Sequence, residues 1–548
     1  MASTRIAVLF VTLAAVPASL AAQGVPRVGG RSEFFAGGEL ENYLRLLQTT
    51  GAVPRYPWSV RAFSPGEVDR LVPLNDAHPW ANRYDLAPPT RHGGRLGLRH
   101  GLSLDLVRPR ITLIENTAFP FGSNDGPVWA GRGLTTVVQA GVAIRYGPLS
   151  ATFAPIVFRA ENAAFDLLPN GQSGNLVYAT PGNIDLPQRF GDAPYTAANP
   201  GQSTLRLDVG ALAVGVSTAN QVWGPADRSP LILGNNAAGF PHLFLGTAHP
   251  MNLWIARIHG RAVYGDLRQS AYSSVSGPGS RRFGTGFVAV VEPRGARGLE
   301  LGLTRFFHRS WPEGGPRWKD LVWPLQSILK ADPNDPRFWN PDNQIISVFA
   351  RWVLPRSGLE VYGEFARDDN ARDVRDLLLE PDHDVGYTLG LRKILRSSPA
   401  RLLVVRAEVM NARITNIERG LRGESPLYVH NQQRQGHTQY GQILGAPDGY
   451  GGASSFLAVD FLHPKGRWSV SWNRSLRGTD GPYGSVQPRG IDVVHSVAVE
   501  GLLFRGAFDL SGGLTAALDL NRNFRRDVFN LNAFIGVTGN LARRRGAP

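Results

Sequence analysis

FDLSGGLTAALDLN, residues 508–521, spaces its apolar side chains two apart. Phe508, Leu510, Leu514, Leu518 and Leu520 face one way, while Asp509, Ser511, Gly513, Thr515, Asp519 and Asn521 face the other. A period of two is that of a β-strand with one apolar and one polar face. The rhythm returns at Phe529, Leu531, Ile535 and Val537 against Asn530, Asn532 and Thr538. Near the other end it appears from Arg95 onward in Leu96, Leu98, Leu102, Leu104 and Leu106, with His100 the exception on the apolar face.

Alternation also fits a soluble sandwich, so the connections decide. Tight turns fall at Gly147 and Pro148, Pro293 to Gly298, Pro355 to Gly358, Arg396 to Arg401, His463 to Gly466 and Gly501 to Gly506. Between them lie long polar segments: Ala118 to Gly133, Glu161 to Gln202, Arg268 to Arg282, His308 to Asn343, Asp368 to Asp384, Arg413 to Gly436 and Arg474 to Gly490. Short turns on one rim and long loops on the other are the plan of an all-β transmembrane antiparallel barrel of the outer membrane. Counting between the connections predicts about 16 strands, or about 18 if Thr218 to Asn252 supplies a further pair. Arg99, Arg206, Arg257, Arg261, Glu360, Glu364, Arg392, Arg406, Glu408 and Glu500 fall on the polar face, which lipid would reject and a wet lumen would accept. Trp352, Trp468 and Trp472 sit where interface girdles are needed.

The chain begins with Arg5 and the apolar run Ile6 to Val16, then Pro17 and small residues through Ala22. This reads as a signal peptide, residues 1–22, cut after Ala21 or Ala22; the run is too short to span a bilayer as a helix. Every later apolar segment is cut by Arg, Asp, Gly or Pro, which excludes a helical membrane protein. Residues 23–92 read as a separate helical region: Leu40, Tyr43, Leu44 and Leu47 share a helix face that stops at Gly51. Ser64, Pro65 and Glu67 form a second start signal, for a helix running to about Leu71. The barrel is assigned to 93–541 and a basic tail to 542–548. Most bacterial barrels end on an aromatic residue read by the barrel assembly machinery; this chain has none there, and Phe529 and Phe534 are the substitutes within the last strand.

The chain holds no cysteine, which excludes disulfide scaffolds, thiolate metal sites, cysteine nucleophiles and a lipid-anchored cysteine. Net charge is +14, and arginine supplies nearly all the positive charge, lysine only at 319, 330, 393 and 465. That excess reads either as affinity for acidic polymers or as the codon bias of a GC-rich genome; the arginines are scattered, not clustered as nucleic-acid binding requires. No HExxH, GxSxG or P-loop is present, and Glu360 with Glu364 pairs more readily with lumen arginines than in acid/base work, so no catalytic residue, enzyme activity or cofactor is expected. Asp332, Asn334 and Asp335 make only a loose calcium motif, and no metal site is assigned.

Function is sought in the loop His308 to Asn343, where Trp311, Trp318, Trp323 and Trp339 stand among Arg309, Arg317, Lys319 and Arg337. Aromatic faces stack on sugar rings and guanidinium groups pair with uronate carboxylates, a combination suited to an acidic polysaccharide. Equally, the tryptophans pack the loop's own core or join the membrane girdle.

Three stretches together resemble the capsule assembly protein Wzi family: ENYLRLL (41–47) with Gly51 and Trp58 to Arg61, NQVWGPADRSPLILGNNAAGFP (220–241), and GHTQYGQILG (436–445). Ala62 stands where a proline is expected. The resemblance implies an outer-membrane barrel lectin of about 18 strands, blocked from the periplasm by N-terminal helices and binding sugar through its outer loops without catalysis. Within the middle motif Trp223, Gly224, Pro225, Asn235 and Asn236 read as bracing of the interior more than as sugar contacts. The expectation is a surface lectin that anchors capsular or extracellular polysaccharide, with outer-membrane lipid and the assembly machinery as its other partners and no nucleic acid. The alternative is a porin-like channel for anions or oligosaccharides.

Overall fold

The computed structural model describes residues 27–28, 34–71, 80, 83–84, 102–325, 342–368, 374–379, 384–398, 400–414, 426–430, 432–477 and 490–539. The residues read as a signal peptide (1–22) and as a basic tail (542–548), Leu96 to His100, Asp332 to Asp335, Arg337 and Trp339 lie outside them. Among the described residues no helix is long and apolar enough to cross a membrane. The chain crosses with strands.

Among the described residues eighteen antiparallel strands close into a barrel. They are β1 (Leu102–Asn116), β2 (Gly133–Tyr146), β3 (Leu149–Phe153 and Ile156–Ala160), β4 (Tyr195–Asn199 and Thr204–Val209), β5 (Leu212–Ser217) and β6 (His242–Thr247, extended by Met251–Asn252). Then follow β7 (Ala256–Arg268), β8 (Arg281–Pro293), β9 (Leu299–Ser310), β10 (Asn343–Leu354), β11 (Leu359–Asp368) and β12 (Val385–Ser398). The last six are β13 (Arg401–Asn411), β14 (Gly452–His463), β15 (Gly466–Arg477), β16 (Asp492–Arg505), β17 (Phe508–Arg522) and β18 (Arg526–Gly539). Closure runs from Asn532 opposite Asn116 to Thr538 opposite Arg110.

The faces are those the alternation predicts. Along β17, Phe508, Leu514 and Leu518 are exposed on the outside while Asp509, Thr515 and Asp519 are buried inside. Trp352, Trp468 and Trp472 are likewise exposed apolar side chains of the outer wall, and Arg206, Arg261, Glu360, Glu364, Arg392 and Glu408 are buried inside. The sorting is enforced by solvent, since a charged side chain on the lipid face costs about 2–4 kcal/mol at mid-membrane.

Several sequence readings are corrected in detail. In β1 the pairing register slips between Val107 and Arg110, across Pro109, so the exposed residues beyond it are the odd-numbered Ile111 and Leu113. Proline cannot donate to the ladder and is accommodated at such a bulge. Gly501 lies within β16, whose turn comes at Gly506, and Glu161 to Gln202 contains the upper half of β4. A tight hairpin on the long-loop rim joins β17 to β18, with Asn521, Asn523 and Phe524 in positive φ.

The count of 18 is reached with Thr218 to Asn252 supplying β6, but not as an ordinary outer hairpin: β5 and the main run of β6 are six residues each, and the chain between them turns into the lumen. Six residues extend about 20 Å, short of the 9–11 residues a tilted strand needs to span a bilayer. The upper wall between β4 and β7 is therefore unstranded at this point. The exposed edge of β7 is satisfied from inside: the Asp266 amide donates to the Pro241 carbonyl (2.9 Å), the Arg268 amide to Gln439 Oε1 (2.7 Å), and the Tyr440 amide to the Arg268 carbonyl (2.8 Å).

The N-terminal region enters the lumen at the tight-turn end as α1 (Glu39–Thr50) and α2 (Pro65–Leu71). Gly51 ends α1 in the left-handed conformation, and at α2 the Ser64 amide donates to Glu67 Oε2 while the Glu67 amide donates to Ser64 Oγ, the capping box read from sequence. Leu40, Tyr43, Leu44 and Leu47 pack with Trp58 and Trp80 against Ile394, Leu402, Val404 and Leu462 of the inner wall.

Candidate functional site

The three sequence stretches that stand far apart in the chain meet inside the barrel. Val60 and Arg61 pair antiparallel with Trp223 and Val222, and the Gly224 amide donates to the Ser59 carbonyl (3.0 Å). Arg61 Nη2 donates to the carbonyls of Gly224 (3.1 Å) and Ala226 (2.9 Å), and its Nη1 to Glu41 Oε1 (2.8 Å). From the third stretch, the Leu444 carbonyl accepts from the Gly234 amide (2.7 Å), and His437 Nε2 lies 2.6 Å from the Ile232 carbonyl.

Trp223 is fully buried in an apolar core with Ile232, Phe240, Phe306, Ile345 and Tyr428. Asn235 Nδ2 donates to the Asn124 carbonyl (2.7 Å) and Asn236 Nδ2 to the Ile443 carbonyl (3.0 Å). Gly224 has φ +86°, and a Cβ there would lie 2.8 Å from Glu364 Oε2; Pro225 offers its carbonyl to Arg45 Nη2 at 2.6 Å.

Charge inside is paired in chains. Glu360 Oε1 accepts from Arg45 (2.6 Å) and Arg351 (2.9 Å); Arg351 continues to Glu300, whose Oε2 accepts from the Trp58 amide and Ser59 Oγ, both at 3.0 Å. Asp227 meets Arg392 and, at 2.9 Å, Arg406. Burial opposes ionisation of Asp227, but Arg392, Arg406 and Arg45 together outweigh it and hold its carboxyl below the usual range.

This packing leaves part of the lumen open. A cavity of about 700 Å³ runs along the inner faces of β12 to β18 and β1, from Glu39 and Trp80 up to Asp448 and Arg477 at the long-loop rim. Its wall carries the aromatic faces of Phe119, Phe456 and Phe534, the amides of Asn473 and Asn532, and a run of guanidinium groups. Arg406 and Arg467 are committed to Asp460 and to Glu39. Arg110 and Arg228 hold no ion pair among the described residues, and Arg228 lies 4.5 Å over the Phe456 ring. Asp125 has free surface towards this cavity yet sits deep in the barrel; burial pushes its carboxyl up to about 6 against the pull of Arg228 and Arg110. Neither arginine was singled out from sequence, because alternation tells which face a residue takes and not whether that face meets packing or a void.

The loop chosen from sequence lies elsewhere. After Ser310 it leans over the outside of the barrel, where Tyr264 Oη donates to the Leu321 carbonyl (3.0 Å). Trp311 lies beneath the Arg281 guanidinium (3.6 Å), and Trp323 beneath that of Arg309 (3.4 Å), which also pairs with Asp320 (2.5 Å). Trp311 is half-buried with one face covered, and Trp323 is buried. Trp318 is 86% exposed, flanked by exposed Arg317 and Lys319. Among the described residues no group of three or more acidic or histidine side chains forms a metal-binding cluster.

A sequence profile of the family described as capsule assembly protein Wzi matches residues 195–517. Among solved structures, that of Wzi from Escherichia coli, an outer membrane protein described as involved in group 1 capsule assembly and as a carbohydrate binding β-barrel, is similar. Its TM-score is 0.60 at 14% identity, over 92% of this chain and 98% of that one. Pseudomonas aeruginosa OprD follows with a TM-score of 0.39 at 8% identity, over 80% and 96% of the two chains. OpdQ of the same organism gives 0.38 at 9%, over 79% and 98%. No curated protein matches the sequence.

Proposed function

Because the chain belongs to the capsule assembly protein Wzi family, we propose that it is an outer-membrane lectin that holds capsular or extracellular polysaccharide at the cell surface. In this reading residues 1–22 are a cleaved export signal, and residues 23–92 plug the periplasmic end. The observation that carries the sugar-binding role is the lumen cavity: two guanidinium groups outside any ion pair among the described residues stand among asparagine amides and phenyl faces. Amides and guanidinium forks bind hydroxyls and carboxylates with defined geometry, and phenyl faces take the apolar side of a sugar ring. The favoured ligand is an acidic saccharide carrying uronate groups.

The test is calorimetric titration of the purified full-length barrel with oligogalacturonate and with neutral dextran oligomers. Oligogalacturonate should bind more tightly, and Arg110→Ala with Arg228→Ala should weaken it at least tenfold. Equal binding of the two sugars, or no effect of the arginine changes, would overturn the assignment.

A channel is the second reading, favoured by the height of the same cavity, which runs from the tight-turn end to the long-loop rim. Planar-bilayer conductance separates the two, since a large steady current from the full-length protein contradicts a plugged lectin.

A further inference from the structure

The outer wall carries a groove of about 720 Å³ that the sugar-binding role does not use. It lies where the wall is interrupted. β3 breaks between Phe153 and Ile156 and β4 between Asn199 and Thr204, and beside them β5 and β6 stop after six residues. Phe153, Leu205, Val216 and Leu243 line its floor, each a side chain of the lipid-facing surface and each 45–50% exposed. Trp311, Pro316 and Leu321 of the leaning loop form its roof. The volume falls in the range of about 300–1,000 Å³ typical of small-molecule sites.

The roof is built, not draped. The loop is fastened to the wall by Tyr264, by the Arg309 pair with Asp320, and by Trp323 Nε1 donating to Asp342 Oδ2 (3.0 Å). Apolar side chains also point outward from it: Val322 is 60% and Leu325 74% exposed. At the upper edge, Arg268 and Arg281 share a single carboxylate, Asp266, at 2.8 and 3.0 Å, which leaves the edge with one positive charge in excess. Exposed Arg317 and Lys319 add to it against the exposed Glu313.

We propose that this groove is a specific site for one anionic lipid of the surrounding bilayer, with an acyl chain lying against Val216 and Leu243 under the Trp311 roof and the phosphate of the headgroup on the Arg268 and Arg281 edge. The apolar floor is continuous with the lipid-facing belt of the barrel, so the chain enters it from the membrane without leaving hydrocarbon. The excess cation at its upper edge selects the headgroup. The lipid would cover the stretch of wall that the short strands leave unstranded.

Native mass spectrometry of the full-length barrel in a neutral detergent tests this, with phosphatidylglycerol and phosphatidylcholine of the same acyl chains added separately. Wild type should retain one phosphatidylglycerol at least fivefold more than phosphatidylcholine. Val216→Trp, which fills the groove, should lose the retained lipid, and Arg268→Gln with Arg281→Gln should bring the two lipids level. Leu205→Trp serves as a second filling variant, and the gel migration of unheated samples reports that each barrel is folded. Equal retention of both lipids by wild type, or unchanged retention in both folded filling variants, would overturn the proposal.

Discussion

Arg45 of α1 and Glu360 of β11 lie 2.6 Å apart with neither side chain exposed, joining positions 315 residues apart in the chain. The pair ties the N-terminal helix to the barrel wall and is itself extended by Arg351 and Glu300. Removing Arg45 leaves the buried chain of Arg351, Glu360 and Glu300 with one negative charge in excess, and breaking such a buried pair typically costs about 3–5 kcal/mol. Arg45→Ala should lower the urea midpoint of the vesicle-inserted protein by a corresponding amount and raise its bilayer conductance. An Arg45→Ala barrel as stable and as closed as wild type would show that the helix is held by its apolar face alone.

Gly224 and Gly210 both have positive φ, but only Gly224 is crowded, with Glu364 2.8 Å from where a Cβ would stand; nothing lies within 4 Å of that point at Gly210. Gly210→Ala should cost only the backbone penalty of about 1–2 kcal/mol. Gly224→Ala should cost more and disturb the ribbon with Val60 and Arg61. Comparison of the two unfolding midpoints measures the difference.

His437 is buried against Tyr428 and His308, and burial pushes its imidazole down to about 4, with Arg282 acting in the same direction. In the unfolded chain it titrates near 6.5, so on acidification the unfolded state takes up the proton first. Its contribution to stability is complete above pH 6.5 and is lost as pH falls towards 4, by up to about 3 kcal/mol. His437→Gln should unfold with a weaker pH dependence than wild type across that interval. Parallel profiles for the two proteins would contradict the assignment.

Trp318 discriminates between the sequence-derived loop and the cavity as the sugar-binding region. Trp318→Ala and Arg317→Ala should leave oligogalacturonate binding within twofold of wild type, because both side chains project from a loop on the outer wall. A tenfold loss in either would return the saccharide to the loop.

Much of the barrel was legible because its two solvents sort side chains so strictly. The FDLSGGLTAALDLN stretch keeps one phase from turn to loop, and β17 follows it. The helices were legible for a different reason, local stop and start chemistry at Gly51, Ser64 and Glu67. What alternation cannot carry is a change of phase, as at Pro109, or a chain that abandons the wall altogether. Thr218 to Pro241 is rich in Gly, Pro and Asn, as an outer loop would be; its descent into the lumen depends on partners such as Ser59 and Leu444, remote in sequence. The free arginines of the cavity were hidden because Arg110 and Arg406 look alike along the chain, and only the neighbouring carboxylates tell them apart.

The inward course of the chain between β5 and β6 also ties three remote pieces of the chain to one another. Both ends of that segment leave the same gap in the wall, and its hydrogen bonds are made to the N-terminal region on one side and to residues 437–444 on the other. The three pieces therefore lock one another inside the barrel: withdrawing the N-terminal region would strip Val222 and Trp223 of their strand partner and leave the inward segment anchored from one side alone.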